Sequence, residues 1–206
     1  MKKIFLMVAV MIAAVSASFA QDFSMGARLG MNVADIAGDS KIEGHNMSFN
    51  AGVVACFPLV DNVFLEPGLY FSVKGDCHKE KIAGDNYKSV INLSYLEIPI
   101  NGVYKYEVNS NLTLRGHFGP YFGFGLFGSS KAKVNGDKVD GSEVKAFSSK
   151  GHGYDVFDIG LNFGCGIEFS ACYLGVQYGL GLKNFSGDSA YKMRNNVFSV
   201  DFGINF

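Results

Sequence analysis

The chain has no tryptophan and only four prolines, and beyond its first twenty residues it has no long hydrophobic run. A membrane-spanning helix needs about 18 or more consecutive apolar residues. The apolar stretch Ile4 to Val15 is shorter than that and nothing later exceeds it, which excludes a helical membrane protein. That stretch follows Met1-Lys2-Lys3 and leads into Ser18-Phe19-Ala20, the layout of a secretory signal peptide. Cleavage is expected after Ala20, giving a signal peptide over 1–20 and a single domain over 21–206. Gln21, not a cysteine, stands directly after the expected cleavage point, so a lipoprotein anchor is not expected.

An excess of positive charge is also missing. Lys and Arg number 18 against 19 Asp and Glu, and loss of Lys2 and Lys3 makes the balance more acidic. Nucleic acid is therefore not an expected partner. The four cysteines, Cys56, Cys77, Cys165 and Cys172, lack the spacing of a disulfide framework. Export permits disulfides, but Cys165 and Cys172 would not face each other across a tight hairpin, and all four are expected to be free thiols. Apolar residues at three-four spacing, the mark of an amphipathic helix, are absent too.

What remains is glycine (26 residues), phenylalanine (19 residues) and alternation. Phe198, Val200, Phe202, Ile204 and Phe206 alternate with Ser199, Asp201, Gly203 and Asn205. Successive side chains on a strand point to opposite faces, so one face is apolar and the other polar or small. The same rhythm runs through Phe23–Val33, Val63–Val73, Leu96–Tyr106, Leu112–Leu126, Phe157–Phe169 and Leu174–Leu182, with a shorter strand at Ala51–Phe57. These are eight segments, several of the ~9–11 residues that cross a bilayer at a tilt.

The connections alternate in length. Asp35–Asn46, Gly75–Ser89, Gly128–Tyr154 and Lys183–Asn195 read as long polar loops; Pro58–Asn62, Glu107–Asn111 and Ser170-Ala171 read as short turns. Outer-membrane barrels have long extracellular loops and short periplasmic turns. The expected fold is therefore all-β: an eight-stranded antiparallel up-and-down transmembrane β-barrel in a bacterial outer membrane, both termini periplasmic. Barrel closure leaves no unpaired sheet edge in lipid.

The polar face carries Arg28, Glu66, Glu97, Arg115, Asp158, Glu168 and Asp201, with glycines that make room for them. An eight-stranded barrel is just wide enough for side chains to fill, so these charges are expected to form a packed structural network in the lumen. Arg28 and Asp201 are expected at similar depth on the first and last strands, with Arg115 and Glu66 at the same level. A selectivity ring or proton path is the competing reading. The apolar face has no charge at mid-strand, as lipid contact requires. Phe23, Phe57, Tyr106, Phe169 and Phe206 resemble a periplasmic aromatic girdle.

Motifs for chemistry are weak. Gly123-Phe-Gly-Leu-Phe-Gly128 matches a dinucleotide fingerprint, but lies inside a strand with no helix after it. Among His45, His78, His117 and His152, only His117 falls on the lumen face, and nothing pairs it with a nucleophile such as Ser72 or Ser199. No catalytic, cofactor or metal site is expected, and Gly84-Asp85 and Gly136-Asp137 are turn chemistry. The loop Gly128–Tyr154 holds Lys131, Lys133, Lys138, Lys145 and Lys150 against Asp137, Asp140 and Glu143. It reads as a solvated loop or as a contact for a protein or surface glycan.

Gly26-Ala-Arg-Leu-Gly-Met-Asn32, Leu65-Glu-Pro-Gly-Leu-Tyr-Phe-Ser-Val-Lys-Gly75, Tyr95-Leu-Glu-Ile-Pro-Ile100, Gly119-Pro-Tyr121 and the terminal Phe206 resemble the PorT-like outer-membrane barrels of the Bacteroidetes. The resemblance covers 21–206. It implies an eight-stranded outer-membrane barrel inserted by the barrel-assembly machinery, with Phe206 as the assembly signal and outer-membrane lipid around it. It supplies no catalytic residues. A non-enzymatic barrel acting in envelope structure or surface interaction is the leading expectation. A narrow pore or secretion-associated barrel is the alternative, and a membrane-embedded lipid- or peptide-modifying enzyme a minor one.

Overall fold

The computed structural model describes residues 23–38, 46–82, 85–134, 137–138, 144–145, 147, 154–186 and 193–206. The expected signal peptide, His45 and His152, and Asp140, Glu143 and Lys150 lie outside them. Eight long strands make the fold: β1 (Ser24–Gly38), β2 (Asn46–Val60), β3 (Val63–Ile82), β4 (Asp85–Asn109), β5 (Leu112–Val134), β6 (Phe157–Phe169), β7 (Cys172–Gly181) and β8 (Met193–Asn205). Two two-residue pieces, Asp137–Lys138 and Val144–Lys145, pair back onto β5. No helix occurs among the described residues.

Each strand pairs antiparallel with its neighbours in sequence, and β1 pairs with β8, so the sheet closes. The terminal residue takes part: Phe206 N–H donates to Met25 O at 2.8 Å, and Met25 N–H donates back at 3.0 Å. At this end the turns are tight, with Asn62 and Ser170 at positive φ. The β4–β5 turn is held by Asn109 Oδ1, which accepts from the backbone N–H of Asn111 and of Leu112, a side-chain mimic of a backbone turn.

The faces are inverted relative to a soluble barrel. Along β1, Arg28, Gly30, Asn32, Ala34 and Ile36 are buried while Ala27, Leu29, Met31 and Val33 are exposed. Exposed apolar residues cover the outside on every side, including Phe49, Phe118, Phe163 and Phe202. Phe23, Tyr106, Phe169 and Phe206 are exposed at the turn end, but Phe57 departs from the expected girdle: it is buried, stacked on Phe23 at 5.7 Å.

The strands outrun their apolar alternation. β2 is 15 residues long rather than short. The stretch Gly75–Ser89, expected as a loop, is mostly a hairpin in which β3 continues to Ile82 and β4 starts at Asp85. β5 likewise runs to Val134 inside the expected loop Gly128–Tyr154, β1 to Gly38, and β8 starts at Met193. The physical reason is that pairing needs only backbone groups. The polar sequence of these extensions carries no hydrophobic alternation to mark them. Gly75 sits where the hairpin rises, at φ 147°, and a side chain there would run into the carbonyl of Ile91.

Candidate functional site

The lumen is built in layers. Nearest the tight turns, β5 places Arg115 at the centre. Its Nη2 donates to Glu66 Oε1 on β3 at 2.7 Å and its Nη1 to Glu168 Oε1 on β6 at 2.9 Å. Lys105 on β4 holds the other Glu168 oxygen at 3.0 Å. The Tyr173 ring lies 5.0 Å from the Arg115 guanidinium and 4.3 Å from that of Arg28.

Further in, β3 contributes Lys74, whose Nζ lies 2.7 Å from Glu97 and 3.5 Å from Asp158. It also sits 4.1 Å over the Tyr121 ring. Asp158 accepts from Asn195 at 3.0 Å and from the Tyr121 hydroxyl at 3.3 Å. All these groups come from different strands, so a single ammonium ties β3, β4 and β6 together.

Between the two ionic layers lies a polar chamber of about 30 Å³ lined by Asn50, Tyr70, Asn101, Asn162, Gln177 and Asp201, among others. Asn50 Nδ2 donates to Asp201 at 2.9 Å and to Asn32 at 2.7 Å, and Ser199 donates to Asn32 at 2.9 Å. Asn50 Oδ1, Asn101 Oδ1 and Asn162 Nδ2 find no protein partner. A space of this size holds one or two waters, which is how buried polar atoms of this kind are satisfied.

Above the Lys74 layer the lumen turns apolar. Ile36, Ile91, Leu93, Tyr95 and Phe185 are buried together, with Phe147, Tyr154 and Met193 packed against them. Phe147 meets Tyr95 edge-on at 5.7 Å, and Tyr154 meets Phe185 the same way at 5.4 Å. Burial pushes the Tyr154 phenol up from its usual range. Backbone bonds from Asp155 N–H to Phe185 O and from Phe185 N–H to Met193 O pin the two loop segments over the mouth. The mouth is therefore closed by side chains from two of the stretches that read as long polar loops, Gly128–Tyr154 and Lys183–Asn195.

A sequence profile for the outer membrane protein beta-barrel domain matches residues 19–187. The chain belongs to this family. Of solved structures, the attachment invasion locus protein Ail of Yersinia pestis, crystallised with the heparin analogue sucrose octasulfate, superposes with a TM-score of 0.50 at 12% identity, covering 90% of this chain and 100% of that one. OprG of Pseudomonas aeruginosa aligns at 13% identity and a TM-score of 0.47, covering 89% and 95% of the two chains. Neisserial surface protein A aligns at 13% identity and 0.44, covering 89% and 97%. No curated protein matches the sequence. Family and neighbours locate the barrel in the bacterial outer membrane, so the tight turns are periplasmic and the closed mouth is extracellular.

Within this outer-membrane barrel, all seven charged residues singled out in the sequence are buried. The structure groups Glu66, Arg115 and Glu168 in one layer and Glu97 and Asp158 in the other. Arg28 and Asp201 do not meet. Arg28 is paired with Gly203, and Asp201 with Gly30. That two-residue offset is about 7 Å along a strand. Arg28 donates instead to Asn205 Oδ1 at 2.7 Å, and Asp201 rests on Asn50. Lys74 and Lys105 were missed as network members although the alternation puts both on the polar face. Lys74 supplies the cation beside Glu97 and Asp158, and Lys105 adds a second one beside Arg115. His117 Nε2 lies 3.0 Å from Gln177 Oε1. No disulfide forms among the described residues: Cys56 is buried, and Cys165 and Cys172 are exposed.

Proposed function

We propose that this is a non-enzymatic barrel that works at its extracellular face, in surface interaction or envelope structure, and not through its lumen. What supports this is the closure of the lumen: two ion-pair layers with the apolar cluster over them, leaving a chamber of about 30 Å³. Ions crossing would have to break buried pairs, and leaving a buried charge unpaired costs about 3–5 kcal/mol. Planar-bilayer recording tests this. Silent insertion events are expected; steady nanosiemens-scale current would overturn the reading in favour of a narrow pore or a PorT-like, secretion-associated barrel. The partners of this reading are outer-membrane lipid around the barrel and a protein or surface glycan at the loops. During insertion the partner is the barrel-assembly machinery.

A further inference from the structure

In and above the polar chamber, carboxylates outnumber the cations they meet. Glu97 and Asp158 share the Lys74 ammonium. Asp201 on β8 has no such partner: among the described residues, no ammonium, guanidinium or imidazole lies within ion-pair distance of it. Arg28 turns away toward the periplasmic end, where its guanidinium lies over Gly26 and donates to Asn205, whereas the Asp201 carboxyl lies over Gly30. His117 reaches Gln177 instead. The bond Asp201 accepts comes from the neutral Asn50 amide at 2.9 Å. Three carboxylates thus stand against one ammonium. A buried carboxylate is costly unless a cation pairs with it or is coordinated by it.

The chamber also presents oxygens with nothing to bind. Asn50 on β2 reaches Asp201 across Gly30 on β1, where a Cβ would strike both side chains. The Asn50 amide is held one way round. Its Nδ2 donates to Asp201 and to Asn32 Oδ1. Asn32 Oδ1 is fixed as an acceptor, because Ser199 Oγ donates to it while Asn32 Nδ2 donates to the Val73 carbonyl. Turning the Asn50 amide over would aim its carbonyl at two acceptors. Asn50 Oδ1 therefore stays without a protein partner, and Asn101 Oδ1 on β4 has none either. Asn50, Asn101 and Asp201 are each more than nine-tenths buried, and all three line the chamber. Water satisfies amide oxygens but leaves the charge of Asp201 unpaired. Carboxylate and amide-carbonyl oxygens together are the donor set of a hard cation.

We propose that the chamber binds a hard monovalent cation of the sodium class, held by the Asp201 carboxylate and the side-chain oxygens of Asn50 and Asn101. A single positive charge matches the single carboxylate that lacks a partner. The ion loads as the barrel closes and is then trapped between the Arg115 layer below and the Lys74 layer and apolar cluster above. It is bound and not conducted, so the site stands or falls apart from the conductance result. The test refolds the full chain from urea into detergent in mixtures of sodium chloride and choline chloride at constant ionic strength. The urea midpoint of the parent is expected to rise by about 0.5 M or more across a hundredfold rise in sodium, because a ligand that binds only the folded state stabilises it. Asp201→Asn, shown to be folded by heat-modifiable gel migration, is expected to show no sodium response. In choline chloride alone it should be at least as stable as the parent, since its amide carries no charge to pair. Asn101 makes no side-chain hydrogen bond to the described residues. Asn101→Ala is therefore expected to match the parent in choline chloride, yet to need at least about tenfold more sodium for the same midpoint, having lost one oxygen ligand. Parent protein folded in sodium chloride and desalted into choline chloride should retain a single sodium per chain by atomic emission. A parent midpoint that ignores sodium overturns the proposal and assigns the chamber to water alone. So does a sodium response that persists in Asp201→Asn.

Discussion

Lys74 Nζ lies 2.7 Å from Glu97, on a side chain only 3% exposed, and the same ammonium also faces Asp158 at 3.5 Å. One cation thus serves two carboxylates from different strands in the barrel interior. Removing it leaves two buried anions facing each other. Lys74→Met is therefore expected to destabilise the barrel by about 3–5 kcal/mol, measured as urea unfolding in detergent micelles. Adding Glu97→Gln to that variant should recover part of the loss. A double variant no more stable than Lys74→Met would show that the pair is not coupled.

Arg115 and Lys105 share Glu168 but not its energetics. Arg115 is 1% exposed and also holds Glu66, whereas Lys105 is 17% exposed. Arg115→Ala is expected to cost about 3–5 kcal/mol. Lys105→Ala should cost about 1 kcal/mol or less, because the guanidinium still satisfies Glu168 and the ammonium reaches water. Equal losses in parallel unfolding titrations would contradict the layer as described.

Phe118 is 58% exposed on the outer face of β5. In lipid, a charge at that position meets hydrocarbon. Phe118→Arg is expected to destabilise the protein by about 2–4 kcal/mol in phospholipid vesicles. The comparison is Phe206→Arg at the interface, where the cost should fall to about 1 kcal/mol or less. A neutral Phe118→Arg would mean that this face does not meet acyl chains.

Gly125 has the Phe147 ring so close that an added Cβ would run into its edge. Gly125→Val is therefore expected to push Phe147 off Tyr95 and loosen the extracellular closure. Amide exchange at Phe147 should speed up while exchange at the Arg115 layer stays slow. Unchanged protection at Phe147 would show that the loop is held by other contacts.

The barrel was legible because lipid imposes a rule on every strand: one face apolar, one polar, with breaks only at turns. Phe198–Phe206 displays that rule without help from other strands. The seven interior charges were legible on the same ground, since alternation assigns a face whatever the neighbours are. Who meets whom was not. Pairing depends on the stagger between strands, and a two-residue offset separated Arg28 from Asp201 while distant Lys74 reached Glu97 and Asp158.

Strand lengths and loop roles were hidden for a related reason. The backbone pairing of Lys79 with Lys88 needs no apolar alternation, so Gly75–Ser89 looks like a loop. Phe147 and Phe185 look like stray aromatics until the closed sheet brings Ile36, Leu93 and Tyr95 beneath them. Composition and alternation by themselves determined that the chain is an all-β barrel with an apolar exterior, because each side chain's face follows from local backbone geometry. Only the tertiary structure decided which charges pair and where the lumen closes, because those depend on the register that closure imposes across strands far apart in sequence.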